Sequence, residues 1–386
     1  MPGGRDPVQI KVLSAISDVS AAAWDGCAGP ENPFVSHGFL YALEESGSAT
    51  NATGWKPQHL VIEDSGRVVA CAPLYLKSHS YGEYVFDWGW ADAYERAGGS
   101  YFPKLLSAVP FTPVTGRRLL VHPEADPSLA DALITGMIQL ADEYKVSSLH
   151  VNFPTRAEFE RLGEGGLLRR TGNQFHWENN DYATFDDFLG ELTSRKRKTI
   201  RRERREVAEQ RVCLRALTGD NIKEHHWDAF FRFHVDTTNR KWGQRYLSRE
   251  FFSVLPTLMA DKVVLIIAED NGETVGGALN LIGTDTLYGR YWGCSANYNF
   301  LHFEACYYRA IDFAIKHGLK RVEAGAQGTH KIQRGYLPTT TYSAHLIADP
   351  RFRDAVSNFL EQEALEVEAE MNMLAERSPY RKSGNS

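Results

Sequence analysis

Cysteine is scarce in this chain of 386 residues: there are five thiols, Cys27, Cys71, Cys213, Cys294 and Cys306, an odd number with no C-x-x-C pair. That pattern points away from a disulfide framework and from a zinc knuckle, and it suits a reducing cytoplasm. Long apolar runs are missing too. The longest strongly apolar stretch, "VVLIIA", is far short of a bilayer span, and "MPGGRDPVQIKVLSAISDVS" at the start lacks the apolar core of a signal peptide. A cytoplasmic protein with no membrane span is expected. None of the 13 histidines sits in H-E-x-x-H or a related ligand spacing, and the adjacent His225 and His226 are a weak signal, so no metal is expected. Neither G-x-x-x-x-G-K-[ST] nor G-x-S-x-G occurs, which leaves nucleotide hydrolysis and serine hydrolysis without support. A surplus of positive charge is also absent. The formal net charge of -6 argues against a generic nucleic-acid coat, which would need basic residues over much of its surface.

What is present is ample core material, with 43% hydrophobic residues and 12% aromatics, enough for two domains of ordinary size. An internal echo divides that material. "EDSGRVVACAPLYL" from Glu63 and "EDNGETVGGALNLI" from Glu269 each follow an apolar run, carry a Ser-Gly or Asn-Gly turn and enter a second apolar run, the pattern of a β-hairpin. Each is followed by an amphipathic helix that passes into a short strand. The helix faces run through Leu133, Met137, Leu140 and Ala141 in the first copy and through Tyr307, Ile311, Ala314 and Ile315 in the second. A long insert from "GEYVFDWGWADAYERAGG" onward separates hairpin and helix in the first copy alone. Two homologous α/β domains with mixed sheets follow, the alternative being a chance match of two short segments. The expected boundaries are 8–180, a basic connecting helix at 181–211, a second domain at 212–348 and a C-terminal helix at 349–380 whose apolar stripe runs through Val356, Phe359, Leu360 and Leu365.

Several longer strings carry a resemblance: "FVSHGFLYALEESG", "NQFHWENNDYATFDDFLGELTSRKRKTIRRERR", "LYGRYWGCSANYNFLHFEACYYRAIDFAIKHGLKRVEAGAQGTHKIQRGYLP" and "SAHLIADPRF". With them the chain resembles the FemAB-like group of the GNAT acyltransferase superfamily, over nearly its whole length. The resemblance implies two tandem GNAT-like domains and transfer of an acyl group to an amine. Ordinary members of the superfamily take the group from acyl-CoA; Fem-type members take it from aminoacyl-tRNA and build on cell-wall precursors. Neither donor is a tightly bound cofactor.

An acyl-CoA donor calls for small residues that let backbone N–H groups approach a pyrophosphate at a helix start. The nearest match to such a loop is "RYWGCS", with Arg290, Gly293 and Ser295, and it departs from the pattern by ending in Ser. An aminoacyl-tRNA donor calls for positive charge along a phosphate backbone. From Arg195 to Arg205, eight of eleven residues are Lys or Arg. Drawn as one helix, Leu189, Leu192, Ile200 and Val207 make an apolar seam, and Arg195, Lys198, Arg201, Arg202, Arg204 and Arg205 supply a basic ridge for tRNA or phosphate. The other reading is a solvated bridge paired with Asp186, Asp187 and Glu191.

For the chemistry, "LHFEACYY" offers His302, Glu304 and Tyr307, and "EAGAQGTHKIQRG" offers Glu323, Gln327, His330, Lys331 and Arg334. Glu304 or His330 is expected to take the amine proton and Tyr307 to donate to the leaving group, with Lys331 and Arg334 binding a phosphate or carboxylate. The other reading of Glu304 and His302 is as helix caps, and of Glu323 as an ion-pair partner. Asp87, Trp88, Trp90 and Asp92 in the insert are expected to bind the acceptor, or else to pack the insert. The function expected is aminoacyl transfer from tRNA to an amine-bearing acceptor. The alternatives are an acyl-CoA N-acyltransferase (N-acetyltransferase) and a non-catalytic module that binds RNA or anionic envelope precursors.

Overall fold

Two residues close each hairpin. In the computed structural model, which describes residues 9–240, 245–325 and 328–381, Ser65 and Gly66 have φ of 51° and 79°, and Asn271 and Gly272 have φ of 50° and 83°. Two successive left-handed residues are what a type I′ turn requires, and Gly and Asn adopt them with little strain. The flanking registers match as well. Asp64 faces Arg67, Glu63 faces Val68, and Ile62 then faces Ala70; Asp270 faces Glu273, Glu269 faces Thr274, and Ala268 then faces Gly276. Val69 and Val275 are therefore bulged residues at equivalent places.

Each hairpin leads, through a helical stretch, to a strand that pairs in parallel over three positions. Leu129–Glu143 leads to Ser148–Asn152 beside Lys104–Ser107. The run Leu301–Phe303, Glu304–Tyr308 and Arg309–Lys316, with a π turn in its middle, leads to Arg321–Glu323 beside Thr286–Cys294. The same order of elements thus occurs twice, in a mixed α/β fold of two GNAT-like units. Unit 1 comprises Met1–Gly172, Tyr246–Phe251 and Thr341–Val367; unit 2 comprises Asn173–Arg245, Phe252–Thr340 and Glu368–Ser386.

In unit 1, Ile10–Leu13, His59–Asp64, Arg67–Ala72 and Leu120–Val121 form an antiparallel sheet. In a second sheet Trp55–Pro57, Tyr75–Lys77, Lys104–Ser107 and Ser148–Asn152 lie side by side and are joined by residues 343–347. Leu133, Met137, Leu140 and Ala141 bury one helical stripe against Leu60, Ile62, Ala70, Leu149 and Val151. The helix Pro350–Glu376 buries Val356 and Leu360 beside Trp90 and Tyr101, but Phe359 is 48% and Leu365 62% exposed, so the stripe is narrower than its sequence suggests. Among the described residues no helix is long and apolar enough to cross a membrane.

In unit 2, Cys213–Thr218, Val263–Asp270, Glu273–Ile282, Thr286–Cys294, Arg321–Glu323 and residues 176–178 follow one another across the sheet. The basic segment is two helices, Phe185–Glu191 and Ser194–Glu209, rather than one. Leu192 is extended (φ -81°, ψ 156°), because it bridges to Tyr380 while the Thr193 N–H donates to the Pro379 carbonyl. The second helix buries Ile200, Glu203 and Val207, a stripe with one carboxylate in it. Glu203 accepts from the Arg334 guanidinium at 3.0 and 3.1 Å and from the Tyr308 hydroxyl. Removing one member of a buried ion pair strands the other, at about 3–5 kcal/mol. Glu203→Ala is expected to lower the unfolding free energy of unit 2 by that amount, read as a lower denaturant midpoint, whereas Arg202→Ala on the exposed side leaves it within about 0.5 kcal/mol of wild type.

Candidate functional site

The parallel pairing of Thr286–Cys294 with Arg321–Glu323 ends at Tyr288 opposite Glu323. The other edge of Thr286–Cys294 stays paired with Glu273–Ile282 as far as Cys294, with Arg290 the extra residue of a bulge opposite Leu279 and Asn280. The parallel ladder goes no further than Tyr288 and Glu323. Crevices at the carboxyl ends of parallel strands are where open α/β sheets receive ligands, since side chains from both strands and from the following loops meet there.

Glu323 ends its strand at this point, 5% exposed, with Oε2 3.8 Å from His176 Nε2 and without a hydrogen-bond partner. Burial pushes its carboxyl up to about 8 against the pull of Arg321 and Arg290. Burial also draws the His176 imidazole down to about 3, so this ring is neutral. Trp292, on the length of its strand past that ladder, lies 5.6 Å from His302, whose ring is 6.2 Å from that of His330. His330 Nε2 is 2.9 Å from the Tyr307 hydroxyl. The helical run and the 3-10 turn Thr329–Arg334 therefore meet through these two residues. Partial burial, then the charges of Arg334 and Lys331, hold His330 below its usual range, so its Nε2 can accept the tyrosine O–H. Burial raises Tyr307, which keeps its proton.

Other residues expected at the site turn inward. Glu304 is 3% exposed and held by Arg204 at 3.2 Å and Arg309 at 2.9 Å, which opposes burial's upward push on its carboxyl. It belongs to an ion-pair knot that includes Asp312, 2.6 Å from Arg204, and it is not an open proton acceptor. Arg334 is committed to Glu203, with its guanidinium 3.4 Å from the Phe303 ring centroid and a bond to the His330 carbonyl. Lys331 is buried, donates to the Gly325 carbonyl at 2.8 Å, and is drawn down to about 7 by burial. The pair expected to grip an anion is thus spent on shaping the turn. Gln327 lies outside the described residues.

The basic helix keeps most of its ridge outside. Arg195, Lys198, Arg201, Arg202 and Arg205 are exposed, whereas Arg204 turns onto Glu304 and Asp312 over the Phe185 ring. Arg201 pairs with Asp186 at 2.8 Å, Arg202 with Glu206 at 3.5 Å and Arg205 with Glu209 at 3.7 Å. Exposed pairs of this kind contribute about 0–1 kcal/mol and yield readily to a phosphate.

The expected acyl-CoA loop is not a loop. Arg290 and Gly293 lie within Thr286–Cys294, where Gly293 pairs with Gly277, and the Ser295 N–H donates to the Val275 carbonyl at 2.8 Å. A Cβ on Gly293 would lie 2.5 Å from Phe233 Cβ and 2.6 Å from its backbone, so this glycine admits the helix Glu224–Arg240 rather than a pyrophosphate. The segment before the helical run is tied by Gln210, which bonds the Asn299 N–H and carbonyl at 3.0 Å each.

In unit 1 the four insert residues separate. Trp88 is exposed against Tyr81, and Asp92 pairs on the surface with Arg96 at 2.6 Å. Trp90 is buried beside His345. Asp87 is buried, accepting from Lys104 and from the Tyr101 hydroxyl, and Lys104 with His150 holds its carboxyl well below the usual range although burial opposes them. Lys77, Lys104, Glu83, His150 and Asn152, which join Asp87 there, escaped the sequence reading. For all but Glu83 the signal is a charged or polar residue at an inward position of a short strand, as in "YLK", "KLLS" and "SLHVN". Among the described residues no group of three or more His, Cys, Asp or Glu is placed to hold a metal.

Comparison with known proteins adds the following. FemX is similar in structure, with a TM-score of 0.56 at 11% identity, covering 88% of this chain and 98% of that one. L-PGS from Bacillus licheniformis is similar at a TM-score of 0.50 and 10% identity, over 83% of this chain and 95% of that one. At such identities the likeness is one of fold. Comparison with curated proteins gives no match. A family model described as FemAB-like, peptidoglycan biosynthesis/recognition, matches residues 15–382. The chain, with its two GNAT-like units, therefore belongs to the FemAB-like family.

Proposed function

We propose that unit 2 transfers an aminoacyl group from aminoacyl-tRNA to an amine on a cell-wall precursor, at the crevice where the parallel ladder of Thr286–Cys294 and Arg321–Glu323 ends. The observation that carries this reading is the 2.9 Å hydrogen bond between Tyr307 and His330 beside that crevice. In aminolysis the acceptor nitrogen attacks the ester carbonyl, a C–N bond forms, and the C–O bond to the ribose breaks. The amine proton must leave, and the ribose oxygen must gain one. The Tyr307 oxygen takes the first proton, directly or through water, as it passes its own to the neutral His330 Nε2, and the imidazolium returns that proton through Tyr307 to the leaving oxygen. Glu323, uncharged below about pH 8 and with an unpartnered Oε2, is suited to donate its carboxylic O–H to the carbonyl oxygen as charge builds there. A tRNA donor is favoured over acyl-CoA by the exposed arginine ridge and by the strand pairing of Gly293.

Three outcomes test this reading. Changing Arg195, Arg201, Arg202 and Arg205 together to Ala should weaken tRNA binding and flatten its log–log salt dependence by roughly three, measured by filter binding between 50 and 200 mM salt (about 0.7–0.9 per phosphate contact). Tight acetyl-CoA binding with no tRNA binding would sink the donor assignment. His330→Ala and Tyr307→Phe should each lower kcat by about 10²–10⁴-fold with tRNA affinity kept; unchanged turnover refutes the proton route, and binding without any turnover in the wild type marks a binding module. The carboxyl of Glu323 donates only while protonated, so kcat should fall as pH rises through about 8, apart from the acid limb that protonation of His330 sets below its lowered range. Glu323→Gln, which keeps an N–H donor, should remove that alkaline limb, and a limb that persists in this variant belongs to another group.

A further inference from the structure

The second sheet of unit 1 has two faces of opposite character. Strand register puts Leu76, Leu105, Leu149, Val151 and Ala344 on one face, within the core under Leu129–Glu143. The same register puts Trp55, Tyr75, Lys77, Lys104, His150 and Asn152 on the other, with Pro57 and Leu106 among them. A face with two lysines, a histidine and an asparagine would ordinarily meet water. Here all six side chains are buried, and Ser80, with Glu83 and Asp87 from the insert, closes over them.

The polar groups beneath the insert are unequally served. Lys104 Nζ uses all three protons, on Ser80 at 2.7 Å, Glu83 at 2.8 Å and Asp87. Lys77, equally buried, has one long bond of 3.4 Å to the Tyr81 carbonyl, stands 3.8 Å from Glu83 Oε1 and lies 3.6 Å above the Trp55 ring. The Trp55 indole N–H and the Tyr75 hydroxyl are buried without hydrogen-bond partners, as are Glu83 Oε1, Asp87 Oδ1 and Asn152 Oδ1. Burial draws Lys77 down to about 7 and pushes Glu83 up to about 7, as expected of charges short of partners. Unspent donors gather on the strands Trp55–Pro57 and Tyr75–Lys77. Unspent acceptors come from the insert and from the end of Ser148–Asn152. Buried polar groups in such number are ordinarily satisfied, and a ligand that completes them must offer acceptors at one end and donors at the other.

We propose that this covered polar face is a binding site for a small zwitterion, a carboxylate and an ammonium on a short carbon frame. The carboxylate accepts from Lys77, Trp55 and Tyr75, and the ammonium donates to Glu83, Asp87 and Asn152. Adjacent strands are about 4.8 Å apart, which keeps the frame to a few carbons. The site lies wholly within unit 1 and stands or falls separately from the transfer reaction.

The test is thermal melting and calorimetry of the whole chain with glycine, 4-aminobutyrate and lysine as probes, and with acetate and methylammonium as half-ligands. At least one zwitterion should raise the melting temperature by about 5 °C at a hundredfold excess over its Kd, and neither half-ligand should do so. Trp55→Phe deletes an unpartnered N–H and keeps the ring; it should weaken that binding about tenfold with the unliganded melting temperature essentially unchanged. Asn152→Leu provides the same readout at the acceptor end should Trp55→Phe fail to fold. The proposal is overturned if no zwitterion shifts the melting temperature, which leaves buried water as the occupant, or if the shift persists undiminished in the folded variants.

Discussion

One buried carboxylate sets the geometry of unit 2. Among the eleven residues from Arg195 to Arg205 the single acid, Glu203, goes inside together with Ile200, while five of the eight cations stay exposed. A helix so basic has no apolar stripe wide enough to dock on Ile200 and Val207 alone. Glu203 supplies the missing hold by taking the Arg334 guanidinium and the Tyr308 hydroxyl. Arg334 in turn binds the His330 carbonyl, and His330 meets Tyr307. The position of the imidazole in the candidate site thus traces back, through three contacts, to one acid in a basic run. Desolvating an ion pair is costly, and the two bonds from Arg334 Nη2 with a third from Tyr308 are what offset it.

The two units show what a repeated order of elements conserves and what it leaves open. Turn type, bulge position and the length of parallel pairing are the same in both copies. These are backbone properties set by a few residues, chiefly the glycine after Ser65 or Asn271. The side chains at the parallel strands differ entirely. Unit 2 places an unpartnered carboxyl oxygen of Glu323 beside the His176 ring where its parallel ladder ends, whereas unit 1 buries two lysines and two carboxylates under a long insert. The same backbone serves both because side-chain chemistry at a strand end costs the ladder nothing.

Much of the fold was legible for the same reason. Hairpins, helix faces and the short strands after them are local patterns with periods of 2 and 3.6, so Leu133, Met137 and Ile311 fell on buried faces as read. The site was legible only in part. Tyr307 and His330 were found as members of polar strings, and their contact could not be, since it spans 23 positions. Glu304, Arg204 and Arg334 looked available because a sequence displays charges without their partners. Gly293 looked like part of an anion cradle because a glycine that admits a helix and one that admits a phosphate are spelled alike.

What the sequence by itself determined is the repeated α/β order, the likeness to the FemAB-like family and the concentration of charge at Arg195–Arg205, all of which are written in neighbouring residues. Tertiary structure alone decided the break at Leu192, the return of Thr341–Val367 to unit 1 and the burial of Lys77 and Lys104. Each of these depends on groups far apart in the chain. Whether a charge is spent or free is decided by what folding brings within about 4 Å of it.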